Sequence, residues 1–194
     1  HSKALFDAGF DVTGIDLSPA SIEAASNMKT NGLHFFCHDM RETFKANHFD
    51  YAFNFFTSFG YFDTHEEHQL AISAMAANLK ENGTLVIDYL NVGLIEETNG
   101  DDVMIQMEHL IFHTKKWQDD LYLFKEIKVV DAVSHEVLGV FEERVRKYNL
   151  NDFVIFMQKA GLQIIATFGD YQLNAYEASS SNRLILVAQK HSIS

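Results

Sequence analysis

Cysteine is nearly absent: Cys37 is the single one in 194 residues. That excludes an internal disulfide framework and fits a reducing compartment, the cytoplasm. Pro19 is the only proline. Basic residues are few, with 15 Lys plus Arg against 27 Asp plus Glu and a formal net charge of −12. So acidic a surface repels phosphate backbones and anionic lipid, which argues against nucleic-acid and membrane partners. The exceptions, Lys115-Lys116 and the run 144–147, are short. No apolar run approaches the ~20 residues of a membrane span. No signal-peptide pattern is visible, and the chain opens on His1 rather than Met. Low-complexity linkers and internal repeats are also missing. What is present, a 47% hydrophobic fraction over this length, suits one globular domain with a sizeable core, monomeric or homodimeric.

The first ninety residues alternate between helical and strand patterns. The opening "HSKALFDAG" reads as a helix end stopped by Gly9. "FDVTGID" follows as a strand, then Ser18 as an N-cap with Pro19 at the first helical position, where its missing N–H costs nothing. Asn31-Gly32 is the expected stop of that helix. "LHFFCHD" and "FDYAFNFF" read as two more strands. Thr64 and Glu67 have capping-box spacing. Ile72, Met75, Ala76 and Leu79 then form one helical stripe. "ENG" is the expected break, and "TLVIDYL" a fourth strand. Strand and helix in alternation predict a parallel sheet covered on both faces.

After Asn91 the pattern predicts three longer strands, 103–114, 121–130 and 137–148, joined by turns at "KKWQDD" and "DAVSHE". We expect residues 100–148 to be an inserted antiparallel lid within a single domain spanning 1–194. Asn149 and Asp152 cap one more helix, with Phe153, Phe156, Met157 and Ala160 as its buried stripe and Gly161 as its end. "LQIIATFGDY" and "RLILVAQK" close the chain as an antiparallel pair.

Two of the apolar strands end in an acid, Asp16 and Asp39. In an open parallel sheet, ligands sit beyond the carboxyl ends of the strands. A carboxylate offers two acceptor oxygens, enough to grip both hydroxyls of a ribose, and a neighbouring acid can accept from an adenine amino group. A solvated strand-end acid explains either residue alone about as well; two together favour a nucleoside.

These stretches resemble the class I S-adenosylmethionine-dependent methyltransferases. "GFDVTGIDLSPASIEAA" resembles the family's second strand and helix, "FFCHDMRE" its third strand, "FDYAFNFFTSFGYF" its fourth strand and loop, and "LKENGTLVIDYLN" its fifth. The resemblance implies a Rossmann-like, doubly wound, mostly parallel sheet with an antiparallel last strand and an inserted antiparallel meander. It implies S-adenosylmethionine as the cofactor, with Asp16 and Leu17 at the ribose, Asp39 and Met40 at the adenine, and Asn54 and Phe55 near the methionine part. The family's glycine-rich loop after its first strand has no counterpart here, so the resemblance places that strand and loop before His1.

The implied reaction is methyl transfer from a sulfonium to a small-molecule acceptor. Aromatic faces suit a cationic sulfur, and the loop offers Phe55, Phe56, Phe59, Tyr61 and Phe62. Phe56, Tyr61, Tyr89, Arg144 and Tyr148 are the candidates to face the acceptor, with Asn91 beside Tyr89. No general base stands out; His38, His109 and Tyr61 are the options an acceptor needing one leaves. No metal is expected: "HEEH" at 65–68 has i, i+3 histidines, not the i, i+4 pair of a zinc helix. Two other readings compete, a nicotinamide-dependent Rossmann oxidoreductase, whose ribose also takes an acid after the second strand, and a non-catalytic S-adenosylmethionine-binding module.

Overall fold

A computed structural model describes residues 1–95 and 103–191. The N-terminal part holds α1 (Ser2–Asp7), β1 (Val12–Asp16), α2 (Pro19–Ser26) and β2 (Leu33–Cys37), with β1 and β2 paired in parallel. Ser18 caps α2 by accepting from the Ser21 amide, and Pro19 sits in its first turn. The helix ends at Ser26, short of the expected stop at Asn31. Asn27, a poor helix former, takes the C-cap, and the chain turns back through Thr30 and Gly32 into β2.

A second sheet runs in the order β3-β4-β10-β9, from β3 (Phe49–Asn54), β4 (Leu79–Leu90), β9 (Leu162–Phe168) and β10 (Arg183–Lys190). β3 and β4 are parallel, whereas β10 is antiparallel to both β4 and β9. The arrangement is therefore mixed, and among the described residues it is hydrogen-bonded as two separate sheets rather than one mostly parallel sheet. β1 has β2 as its ladder partner and β3 has β4, so one edge of each is unpaired among the described residues.

α3 (His65–Asn78) and α4 (Leu150–Lys159) bury this second sheet. Both begin with complete capping boxes, Thr64 with Glu67 and Asn149 with Asp152. Each box satisfies orphan amides at the helix start. Ile72, Met75, Ala76 and Leu79 from the first stripe and Phe153, Phe156 and Met157 from the second are buried in one core with Phe59, Leu85, Ile87, Leu184 and Leu186. Each large apolar side chain so buried contributes about 1.5–3 kcal/mol. α3 ends at Asn78, just before the expected break at "ENG"; Leu79, expected on the helical stripe, and "ENG" itself already belong to β4, with Asn82 at φ 60° and an irregular register against β3.

The remaining strands form an antiparallel meander in the order β5-β6-β7-β8: β5 (Val103–Met107), β6 (Leu110–Gln118), β7 (Tyr122–Asp131) and β8 (Val137–Arg146). There are four strands where the pattern predicted three. The apolar run 103–114 folds back on itself at Glu108, whose φ is 51°, without any glycine or proline to mark the turn. Lys115–Gln118, expected as a turn, continue β6. The first residues of the expected insertion, 100–102, lie outside the described residues. Where β8 meets the core, Val145 is buried and the Arg146 amide donates to the Gly60 carbonyl at 2.8 Å.

Candidate functional site

The carboxyl ends of β1, β2, β3 and β4 carry the candidate residues. β1 and β2 pair so that Asp16 lies opposite Cys37, and the His38 amide donates to the Asp16 carbonyl at 3.0 Å. Asp16 and Asp39 therefore sit at the same end of neighbouring strands. Asp16 is exposed, and its Oδ1 accepts from the Ser18 amide at 2.8 Å, which turns the chain into α2. Its other carboxylate oxygen has no partner among the described residues. Leu17 is exposed beside it. Gly14, Ile15, Asp16, Ser21, Ile22 and Phe35 line a recess on this side.

Asp39 is more engaged. Both oxygens accept from the Arg41 guanidinium, at 2.6 Å for the closest contact, and Oδ1 also accepts from the Arg41 amide. Those hydrogen bonds hold the Asp39 carboxyl below its ordinary pKa against a smaller opposing effect of burial. Met40, between the two, is partly buried and takes a long contact of 3.8 Å from Asn54 Nδ2. That contact joins the end of β2 to the end of β3. Asn54 is buried, and its Oδ1 has no hydrogen-bond partner among the described residues. A buried amide oxygen left alone costs about 1–3 kcal/mol, so it is a position where a bound donor fits.

Past Asn54 the chain takes an unusual path. Phe56 and Thr57 have φ of 55° and 60°. Two successive non-glycine residues in the left-handed region, one of them β-branched, store of order 1–3 kcal/mol each. What holds them is Asp88, the buried acid of β4. Its Oδ2 accepts from the Phe56 amide and the Tyr171 hydroxyl, both at 3.0 Å, and its carbonyl accepts from the Thr57 amide at 2.9 Å. Arg183, at the start of β10, donates to Asp88 Oδ1 at 2.7 Å and to Thr57 Oγ1 at 3.0 Å. Burial, then the bond to Asp88, pushes the Tyr171 hydroxyl pKa up. The Phe56 ring lies exposed at the mouth, 4.5 Å from the His1 ring and 6.1 Å from the Tyr171 ring, centroid to centroid. Phe55, half-buried, stacks on Phe53 at 5.1 Å.

The other candidates are placed as follows. Tyr61 is exposed, and burial of its hydroxyl, reinforced by Glu143, raises its pKa. Tyr89 is fully buried, with its hydroxyl donating to the Arg146 carbonyl. Tyr148 is buried against Phe59, His68 and Phe156, and burial moves its hydroxyl up to about 12. Both tyrosines belong to the core that joins β8 to the strands. Arg144 pairs with Asp63 and lies over the Tyr122 ring. Asn91 is buried, donating to the Ala178 and Ser181 carbonyls and accepting from the Tyr176 hydroxyl. The structure thus brings Asp16, Leu17, Asp39, Met40, Asn54, Phe55 and Phe56 together at the strand ends, and sets Tyr89, Arg144 and Tyr148 apart from them. Asp88, Arg183, Thr57, Tyr171 and Arg41 were not singled out from the sequence. One signal was available, an acid inside the apolar run "TLVIDYL".

Residues 1–83 match the family model described as "Methyltransferase domain". The chain matches none of the curated proteins. Among solved structures, an S-adenosylmethionine-dependent methyltransferase from Clostridium acetobutylicum superposes with a TM-score of 0.84 at 16% identity, over 98% of this chain and 79% of that one. The CcbJ methyltransferase from Streptomyces caelestis gives 0.82 at 18% identity, over 97% and 78%. CalS10 from Micromonospora echinaspora, an amino pentose methyltransferase, gives 0.75 at 19% identity, over 97% and 78%. The family match covers the first strands and helices, and the chain as a whole carries the fold of these S-adenosylmethionine-dependent methyltransferases.

Proposed function

We propose that this enzyme methylates a nitrogen of a small polar molecule, with the donor held across the ends of β1, β2 and β3. What supports the reading is the join of the three strand ends: the His38 amide donates to the Asp16 carbonyl, and Asn54 Nδ2 meets Met40 Sδ at 3.8 Å. The free oxygen of Asp16 faces solvent where a ribose hydroxyl can donate to it. Asp39, gripped by Arg41, retains acceptor capacity on its carboxylate for an adenine amino group, beside the Met40 backbone. Asn54 Oδ1 is the acceptor for the ammonium of the amino-acid part. S-adenosylmethionine, bound there, supplies a methyl carbon already activated by its sulfonium.

The protein then has to align, desolvate and stabilise positive charge. Phe55 and Phe56 set two aromatic rings 6.1 Å apart just past the end of β3, and aromatic faces favour a cation. Alignment of two reactants in this way supplies roughly 7–11 kcal/mol of the barrier. A nitrogen is favoured as the attacking atom because Asp88, the buried acid that braces the Phe56 turn, is already committed to Arg183 and Tyr171. A neutral amine needs no base before it attacks, and its proton leaves to solvent afterwards. One structural neighbour, KedS8 from Streptoalloteichus, is described as a sugar N-methyltransferase.

Titration calorimetry of the full-length protein with S-adenosylhomocysteine tests the reading. Binding is expected for the wild type, and Asp16→Ala should weaken it by about 1.5–3 kcal/mol, the scale of hydrogen bonds to a charged group. Undiminished affinity in the Asp16→Ala protein removes Asp16 from the site; no heat from the wild type removes the donor.

A further inference from the structure

We propose that Asp88 is a positioning residue for methyl transfer: with Arg183 and Tyr171 it locks the Phe56–Thr57 turn in its left-handed conformation and so fixes the Phe56 ring across the mouth of the donor site. The inference rests on the methyl-transfer reading and adds to it a group that does not touch either reactant.

Four observations support it. Asp88 is almost fully buried, at 1% exposure, yet every bond its side chain makes among the described residues runs to the turn or to the residues bracing it. The turn has two consecutive positive-φ residues, neither of them glycine. Such backbone persists only where its surroundings over-determine it. Here the Phe56 amide, the Thr57 amide and the Thr57 hydroxyl are each taken up by Asp88 or Arg183. Finally, the braced turn carries an exposed ring: Phe56 is 52% exposed and Tyr171 56%. A turn that served packing alone would bury what it holds. Tyr171 comes from the segment between β9 and β10, so a single carboxylate ties three separate parts of the chain, the ends of β3 and β4 and the β9–β10 connection, to one edge of the mouth.

The test is calorimetric binding of S-adenosylhomocysteine to the full-length protein and three variants. Asp88→Asn keeps the shape but turns one acceptor oxygen into a donor facing other donors, so affinity should fall about tenfold or more, a loss of about 1.4 kcal/mol. Adding Thr57→Gly to Asp88→Asn supplies a residue that adopts positive φ without strain; binding should return to within about threefold of wild type. Thr57→Gly also removes the hydroxyl that accepts from Arg183, so recovery reports relief of the backbone and not repair of the bonds of Arg183. Tyr171→Phe leaves the Asp88–Arg183 pair intact and covers the case in which Asp88→Asn does not fold. It should lower affinity about threefold or more while its urea midpoint stays at the wild-type value. Wild-type affinity in Asp88→Asn or in Tyr171→Phe, or no recovery on adding Thr57→Gly, overturns the proposal. Absence of binding by the wild type is a separate outcome and counts against the donor site itself, taking this inference with it.

Discussion

Arg41 closes on Asp39 through both carboxylate oxygens and reaches Glu67 with its other terminal nitrogen. Glu67 is also the third residue of the α3 capping box. One guanidinium therefore couples the end of β2 to the start of a helix 26 residues further on. Its plane also lies over the Phe62 ring at 5.0 Å.

The Asp39 pairing has a pH signature. Arg41 holds the folded-state pKa of Asp39 below the ordinary 3.8. A depressed carboxyl contributes stability that is present above its unfolded pKa and is lost as pH falls through the folded value. Replacing Arg41 with Met should bring the Asp39 carboxyl back toward 3.8 and make the loss of stability below that pH shallower. Carboxyl carbon NMR titration and urea unfolding across the acid range read both effects; a wild-type acid slope in Arg41→Met contradicts the assignment.

His68 gives the opposite experiment near neutrality. It is fully buried, with Nδ1 at 2.6 Å from the Thr64 carbonyl and rings of Phe59, Phe62 and Tyr148 around it. A carbonyl can only accept, so Nδ1 carries the hydrogen in the neutral ring. Burial lowers the pKa from 6.5, outweighing the bonds that favour the charged form. The unfolded chain then binds the proton more readily, and stability falls as pH drops below about 6.5 toward the folded value. His68→Gln should flatten that slope, and should cost about 1–3 kcal/mol at pH 7 through the disturbed buried polar group. An unchanged slope between pH 6.5 and 5.5 assigns the acid sensitivity elsewhere.

Phe156 supports the helix that the sequence announced most clearly. It is fully buried and its ring meets Phe59, Tyr148 and Phe153, with His65 stacked at 4.5 Å. Phe156→Ala should cost about 3–5 kcal/mol in equilibrium unfolding. A cost under about 1 kcal/mol means the α3–α4 packing described here is wrong.

How much of this was legible depended on sequence distance. The caps at Ser18, Thr64 and Asn149 each rest on partners within three residues, and all three formed as expected. The stripes of α3 and α4 were readable for the same reason, since helical periodicity is local. Asp16 and Asp39 were visible because each closes an apolar run. The Asp88–Arg183 pair spans 95 residues and the Phe56 amide reaches Asp88 across 32, so nothing local announced either. Left-handed turns at Phe56, Thr57 and Glu108 escaped notice because none carries a glycine. The fold-back at Glu108 is why one predicted strand became a hairpin. β-Patterns fix a face but not a register, and cross-strand partners such as Val103 with Thr114 emerge only once the turn is known.

Gly60 and Gly161 separate backbone strain from crowding. Gly161 ends α4 at φ 73°, and a Cβ there would meet nothing within 4 Å. Gly161→Ala should therefore cost only the left-handed penalty, about 1–2 kcal/mol. Gly60 has φ 111°, and its carbonyl receives the Arg146 amide where β8 meets the core. A Cβ there would lie 2.8 Å from Val145 Cγ1 and 2.9 Å from Tyr89 Oη. Both neighbours are buried and cannot swing away, so Gly60→Ala must push β8 off the strands or distort the loop. That adds about 1–3 kcal/mol of overpacking to the backbone term. Urea unfolding of the two variants side by side measures the difference. Equal costs would mean that the meander is not seated on the core through the Gly60, Tyr89 and Val145 contact.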